Sequence, residues 1–201
     1  VYKGMCENHL IVRALRLICL TSHYSDFFQS SYPFQEEFSW ASLDCRLINE
    51  DEKPWSNVLA VWDYRTPIRN CFSRRQAYLE IDVLASIALG MSIDDLISIY
   101  RVQFSVMKLY ENVDRYDSKG RRLPNTTRKD SGAKELREAL KNHDGISPIT
   151  ACWEIDSGNE TVTKTFYPPF THVDRIEDYK TAYRVFSERL GLDNKEITDA
   201  G

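Results

Sequence analysis

The sequence predicts an α+β fold, mostly α: a helical hairpin and flanking helices with one small antiparallel β-hairpin sheet. Three stretches predict it. Residues 71–90, CFSRRQAYLEIDVLASIALG, place Ala77, Ile81, Leu84, Ala85 and Ala88 at the period of a helix with one buried face. Residues 149–156 (ITACWEID) and 161–167 (TVTKTFY) are rich in β-branched and aromatic side chains, and SGNE separates them as a turn would. In 171–191, Ile176, Tyr179, Tyr183, Phe186 and Leu190 recur at spacings of three and four before Gly191, which marks a helix and its stop.

The remaining elements follow in chain order. Residues 7–30 read as one helix, with Leu10, Ala14, Leu17 and Ile18 in the apolar stripe and Arg13 and Arg16 beside it. Residues 31–70 read as irregular, broken by Pro33, Pro54 and Pro67 and an acidic NEDEKP turn. Trp40, Trp55 and Trp62 are expected to pin this segment to the core. Ser73 and Gln76 match a Ser-x-x-Gln capping box, which would start a helix at Ser73, and Gly90 suits its end. Ser92 caps a second arm whose positive end attracts Asp94 and Asp95. Leu96, Ile99 and Tyr100 form its buried stripe, and 102–109 extend it. Residues 116–132 read as turns and loop, with Lys119-Gly120 placed to close a hairpin. Residues 133–142 read as a short polar helix. Asp174 and Glu177 mark the start of the last helix. A single domain over 1–201 is expected, in four segments: 1–70, 71–110, 111–146 and 147–201. The first residue is Val rather than Met, so the chain is expected to be a piece of a longer protein.

Bulk properties narrow the function. A chain of 201 residues can bury roughly 70% of its unfolded surface. With 42% hydrophobic and 28% charged residues it has an ordinary globular composition. The net charge of −4 excludes a grip on nucleic acid by overall charge, so any such role needs a local basic patch. No apolar run reaches the length of a membrane span. Five cysteines is an odd count, which points to reduced, mostly buried thiols and a reducing cytoplasm.

Several chemistries are missing. There is no Gly-x-Gly-x-x-Gly, no Gly-Lys-Ser/Thr after a glycine-rich loop and no Gly-x-Ser-x-Gly. Cys6-x-x-His9 and Cys19-x-x-x-His23 look like two zinc half-sites. One continuous helix would hold them about 15 Å apart, whereas one tetrahedral zinc needs all four ligands at about 2.0–2.3 Å. No metal site is expected. Glu80 and Asp82 are two residues apart and so face different sides of a helix. Asp82 lies near the apolar face and is expected to pair with Arg75 or Arg101. Glu154 and Asp156 lack the lysine that a nuclease site would place beside them.

Two basic groups remain. Arg74 and Arg75 would occupy the first turn of a helix, where partial positive charge normally draws carboxylates. Lys119, Arg121, Arg122, Arg128 and Lys129 gather in the loop. These cations want an anion, and two sources are open. One is internal, such as Asp63, Glu80 or Asp82 for the helix pair. The other is a phosphate backbone held by guanidinium groups and free N–H groups. The candidate nucleic-acid contacts are Arg74, Arg75, Arg121, Arg122, Arg128 and Lys129.

The same residues carry a resemblance. Arg74-Arg75-Gln76-Ala77, Glu80-Ile81-Asp82, Ala88-Leu89-Gly90 and Ile99-Tyr100-Arg101-Val102-Gln103-Phe104 form a pattern. Leu15 to Thr21, Tyr116 to Arg121, Pro169-Phe170, and Asp174-Arg175 with Asp178-Tyr179 extend it. Together they resemble the C-terminal region of large single-chain class I adenine-specific DNA methyltransferases of bacterial restriction-modification and phage-defence systems. Ile18 stands where that pattern has Asn, and Ser105 where it has Pro. The resemblance implies that the motifs for S-adenosylmethionine and the target base lie upstream, so no catalytic residue and no cofactor are expected in this chain. It implies a non-catalytic auxiliary domain that assists DNA binding or target recognition. Its partners would be duplex DNA and the upstream methyltransferase domain. The other reading is a structural protein-interaction module that braces the catalytic part without touching DNA. A free-standing small enzyme would need a polar pocket around Asp82 and Arg101.

Overall fold

The apolar period at the start of the chain builds α1, Lys3–Ile18, in a computed structural model that describes residues 3–33, 38–155 and 158–192. The helix does not run on to residue 30. It stops at Cys19 and Leu20, and the chain resumes as a 3₁₀ turn, Ser22–Tyr24, and a short helix α2, Ser25–Ser31. Distant side chains take the carbonyls at the break. Arg74 donates to Leu17 O at 3.1 Å, the Trp62 indole N–H to Cys19 O at 2.7 Å, and Arg69 to Leu20 O at 2.7 Å. Carbonyls captured in this way are satisfied without a further helical turn.

Residues 38–70 are irregular apart from two 3₁₀ turns, as expected. Trp55 is buried, and Trp40 and Trp62 pack partly buried against a core that includes Val12, Leu15, Phe28, Phe38 and Ile68. Helix α3, Cys71–Ala88, starts two residues earlier than the Ser73 box implies. Asn70 is the cap, and its side-chain oxygen accepts the N–H groups of Phe72 and Ser73. Ser73 is an interior residue, and Gln76 donates to Glu80 instead of closing a box. Arg74 and Arg75 therefore sit beyond the first turn.

α3 is the central element of its unit. It packs against α1, against α4, Ile93–Gln103, and against α7, Arg175–Arg189. Its buried residues include Phe72, Leu79, Val83, Leu84 and Ile87, which explains why one apolar stripe understates it. Gly90, at φ +72°, ends it: the N–H groups of Gly90 and Met91 return to Ile87 O and Ser86 O, a Schellman closure. α4, Ile93–Gln103, opens with a full capping box between Ser92 and Asp95. It buries Leu96, Ile97 and Tyr100, whereas Ile99 is exposed. It ends at Phe104, so 105–113 do not extend the arm; they form a separate helix, α5, Ser105–Val113.

The contacts gather the chain into two compact units. One comprises the residues up to Phe104 with those from Arg175 onward, and the other Ser105–Asp174. In the second unit, β1, Ile149–Ile155, pairs antiparallel with β2, Glu160–Phe166, from Ile149 opposite Phe166 to Ile155 opposite Glu160. Asp156, at the end of the expected first strand, and Ser157, in the expected turn, lie outside the described residues. Ile149, Ala151 and Trp153 alternate inward onto Leu123 and onto Leu136 of α6, Ala133–Leu140. Tyr116 bridges Arg122 across the Lys119-Gly120 turn, with Gly120 at φ +75°. The fold is thus α+β, mostly α, with seven helices and a single two-stranded antiparallel sheet among the described residues. No described helix is long and apolar enough to cross a membrane. All five cysteines are free; Cys6 and Cys19 are buried, but Cys45, Cys71 and Cys152 are exposed, against the expectation of mostly buried thiols.

Gly132 and Gly90 give a matched test of this packing. Both have positive φ, but a Cβ at Gly132 would overlap the Trp153 indole, while one at Gly90 meets nothing within 4 Å. Gly90→Ala should cost about 1–2 kcal/mol, the price of left-handed backbone alone. Gly132→Ala should cost clearly more. Urea unfolding of both variants followed by far-UV circular dichroism measures the difference.

Candidate nucleic-acid interface

The six candidate side chains fall into two sets, one in each unit. In the first, Arg75 is buried and donates to Asp178 of α7 at 2.7 Å. Arg74 gives its Nη1 to Leu17 O and Ile68 O, and its Nη2 to the Tyr78 hydroxyl at 3.3 Å. Neither pairs with Asp63, Glu80 or Asp82. Asp63 holds Lys53 at 2.5 Å. Asp82 pairs with neither Arg75 nor Arg101; it accepts the Tyr179 hydroxyl at 2.7 Å and lies 3.4 Å from Arg175. Burial pushes the Asp82 carboxyl up, and the Tyr179 hydroxyl and Arg175 offset this in part. The side chain keeps 42% of its surface, so the energetic effect is small.

Glu80 is taken by a residue placed only at the edge of the α1 stripe. Arg13 Nε donates to Glu80 Oε2 at 2.7 Å, and both side chains are fully buried. The remaining donors of Arg13 go to His9 O and Ser39 O. Glu80 Oε1 accepts Ala41 N–H at 2.7 Å and the Gln76 amide at 2.8 Å. Arg16, also buried, donates to Thr66 O and Lys53 O, and its guanidinium lies 4.3 Å from the Trp55 ring centroid. The sequence held a signal for this. Val12, Arg13, Arg16 and Leu17 recur at helical spacing, so the two arginines share a face with buried apolar residues.

In the second unit, three aspartates hold three arginines. Asp117, fully buried, accepts Arg121 Nε at 2.9 Å and Nη2 at 2.5 Å, together with the N–H groups of Lys119, Arg121 and Tyr167. Arg121 also donates to Thr165 O. Asp114, 2% exposed, takes a two-pronged pair from Arg128 at 2.8 and 2.6 Å and the Asn125 amide at 2.9 Å. Asp130 takes Arg122 at 2.7 and 3.2 Å and the N–H of Asn125. Lys129, at φ +56°, carries the one cation of the six with no partner among the described residues.

The sequence therefore identified a cationic cluster and missed its mates. Asp114, Asp117 and Asp130 lie within the same stretch of chain as the arginines, and that proximity was the available signal. Among the described residues no three His, Cys, Asp or Glu side chains form a group able to hold a metal ion. No family model, curated protein or solved structure matches the chain.

Two outcomes follow. Glu80→Ala strands a buried guanidinium and should cost about 3–5 kcal/mol. The paired replacement Arg13→Met with Glu80→Leu should recover most of that loss in urea unfolding followed by tryptophan fluorescence. The second outcome concerns acid. Partial burial raises the Asp130 carboxyl, but hydrogen bonds from Arg122 and the Asn125 N–H outweigh it and hold the group below its usual 3.8. The unfolded carboxyl then takes up its proton first as pH falls, so Asp130 stabilises the fold above that value and the contribution is lost below it. Asp130→Asn should flatten the acid limb of a stability–pH profile.

Proposed function

We propose that this chain is a non-catalytic bracing module of a DNA-modifying enzyme: a structural piece that packs against the catalytic part and does not itself grip DNA. The observation that carries this reading is the fate of the candidate cations. Arg75, Arg121, Arg122 and Arg128 each face a carboxylate of their own unit, and Arg74 faces carbonyls. A phosphate would have to displace those mates. The first unit also exposes apolar side chains along two tied segments. Ile18 ends α1 and Leu20 follows it, Leu59, Val61 and Tyr64 flank Trp62, and the Trp62–Cys19 hydrogen bond joins the two runs. Exposed apolar groups gathered in this way suit burial against another protein surface. The association with a methyltransferase rests on the sequence resemblance alone, and with it the upstream S-adenosylmethionine domain as partner.

A second reading, direct DNA contact, is favoured by the partial exposure of the loop arginines. The side chains of Arg121, Arg122 and Arg128 keep 38%, 25% and 28% of their surface. A duplex-DNA shift assay between about 50 and 200 mM salt separates the readings. The bracing reading expects weak binding that is unchanged in Lys129→Gln and in Arg121→Gln/Arg122→Gln/Arg128→Gln variants shown to be folded. Four phosphate contacts would instead give a slope of log affinity on log salt near −3.6, about −0.9 for each, that collapses in the variants. That result would replace bracing with DNA holding.

A further inference from the structure

The first unit contains a cavity that neither reading uses. It has a volume of about 180 Å³ and lies among Arg16, Trp40, Leu47, Ile48, Glu52 and Trp55, with Asn49, Lys53 and Pro54 completing its wall. A cavity of roughly 150 Å³ suffices for benzene, so this one has room for a substituted six-membered ring. Its aromatic walls are set at an angle: the Trp40 and Trp55 rings are 5.0 Å apart and inclined at 78°. A flat ring could lie against one indole face and meet the edge of the other.

The polar groups restrict the ligand further. Arg16 commits Nε to Thr66 O and Nη2 to Lys53 O, and its Nη1 has no hydrogen-bond partner among the described residues. Glu52 commits Oε1 to the N–H groups of Arg69 and Asn70, at 2.8 and 2.6 Å, and its Oε2 has none. The Trp55 indole N–H is buried and unpartnered, with no surface open to the cavity, so it is not a donor to a ligand there. One donor and one acceptor are thus unspent on residues lining the cavity.

Charge decides between ligand classes. Arg16 and Glu52 attract each other, and the Lys53 ammonium is paired with Asp63, so the wall carries no net charge that calls for an ion. Burial lowers the Arg16 pKa to about 10, which still leaves it protonated at neutral pH. A carboxylate or phosphate would meet Glu52, and an ammonium would meet Arg16. A plain hydrocarbon would leave the Arg16 and Glu52 atoms unspent. We infer that this cavity binds a single neutral heteroaromatic ring that carries a carbonyl oxygen beside an N–H. The carbonyl accepts from Arg16, the ring N–H donates to Glu52, and the ring face lies on tryptophan.

The simplest probe is 2-pyridone, which has that edge on one ring. Titrated into the ¹⁵N-labelled protein, it should shift the Trp55 indole N–H cross-peak, with a dissociation constant on the order of 1 mM for so small a ligand. N-Methyl-2-pyridone, which lacks the donor, and benzoate and benzylamine, which carry charge, should each bind at least about tenfold more weakly, a factor a single lost hydrogen bond to a charged group supplies. Arg16 and Trp55 are structural, so the blocking variant is Ile48→Trp: Ile48 lines the cavity yet is 84% exposed, and its replacement leaves the core intact. That variant should keep the wild-type melting temperature and lose the pyridone shift. Three results would overturn the assignment. They are no shift up to about 20 mM, equal affinity for the N-methyl compound, and binding that survives Ile48→Trp.

Discussion

The ion pair between Arg13 and Glu80 organises the first unit. Both side chains are removed from water, at 2.7 Å from each other, and neither charge could be tolerated there alone. The pair is also a junction. Arg13 comes from α1 and Glu80 from α3. Their remaining hydrogen bonds reach Ser39 and Ala41 in the irregular segment, and the Arg13 guanidinium lies 4.9 Å from the centroid of Phe186 on α7. Four pieces of chain must therefore reach their final positions together for either charge to be satisfied. A buried pair of this kind adds little net stability over an apolar replacement. What it supplies is a penalty on alternatives. A helix slipped by one turn would bury the same apolar area but strand a charge.

The same device, arginine donating to carbonyls, substitutes for regular structure elsewhere in the unit. Residues 38–70 form no sheet and only short turns, so their carbonyls need other partners. Arg16 satisfies Thr66 and Lys53, Arg69 satisfies Tyr64 and Leu20, Arg74 satisfies Leu17 and Ile68, and Arg189 satisfies Ser39 and Trp40. A guanidinium offers five donors in a rigid fork, which is why one side chain can close two strands of irregular backbone at once. The aromatic residues of the segment add to this by stacking on the cations, as Trp55 does on Arg16 and Tyr64 on Arg69.

How much of this could be read from the sequence depends on the range of each interaction. The β-hairpin, the Gly90 and Gly191 stops and the Ser92 cap are local. Each is written in a single short run of chain, and each was legible. The break after Ile18 was not, because Trp62, Arg69 and Arg74 cause it from more than 40 residues away. Asn70 was overlooked because Ser73 and Gln76 imitate a cap. Only the burial of Ser73 and the turn of Gln76 toward Glu80 show that they are not one. For the candidate interface, composition revealed where cations gather. It could not reveal that Asp114, Asp117 and Asp130 fold back onto them, since a loop sequence does not state which of its charges face inward.

That inward pairing sets the energetic terms for any anion approaching the loop. The aspartates are not loose counter-ions. Asp117 is fully buried and fixed by three backbone N–H groups besides Arg121, and Asp114 by the Asn125 amide besides Arg128. If Arg121 swung outward to a phosphate, Asp117 would remain behind with no water to replace it. A charge-assisted hydrogen bond gained outside would be offset by one lost inside, where the lower dielectric makes it stronger. The arginines are thus better described as the fasteners of a rigid loop than as a reserve of free charge. Their exposed edges can still line a surface, but the work of neutralising them has been done within the chain.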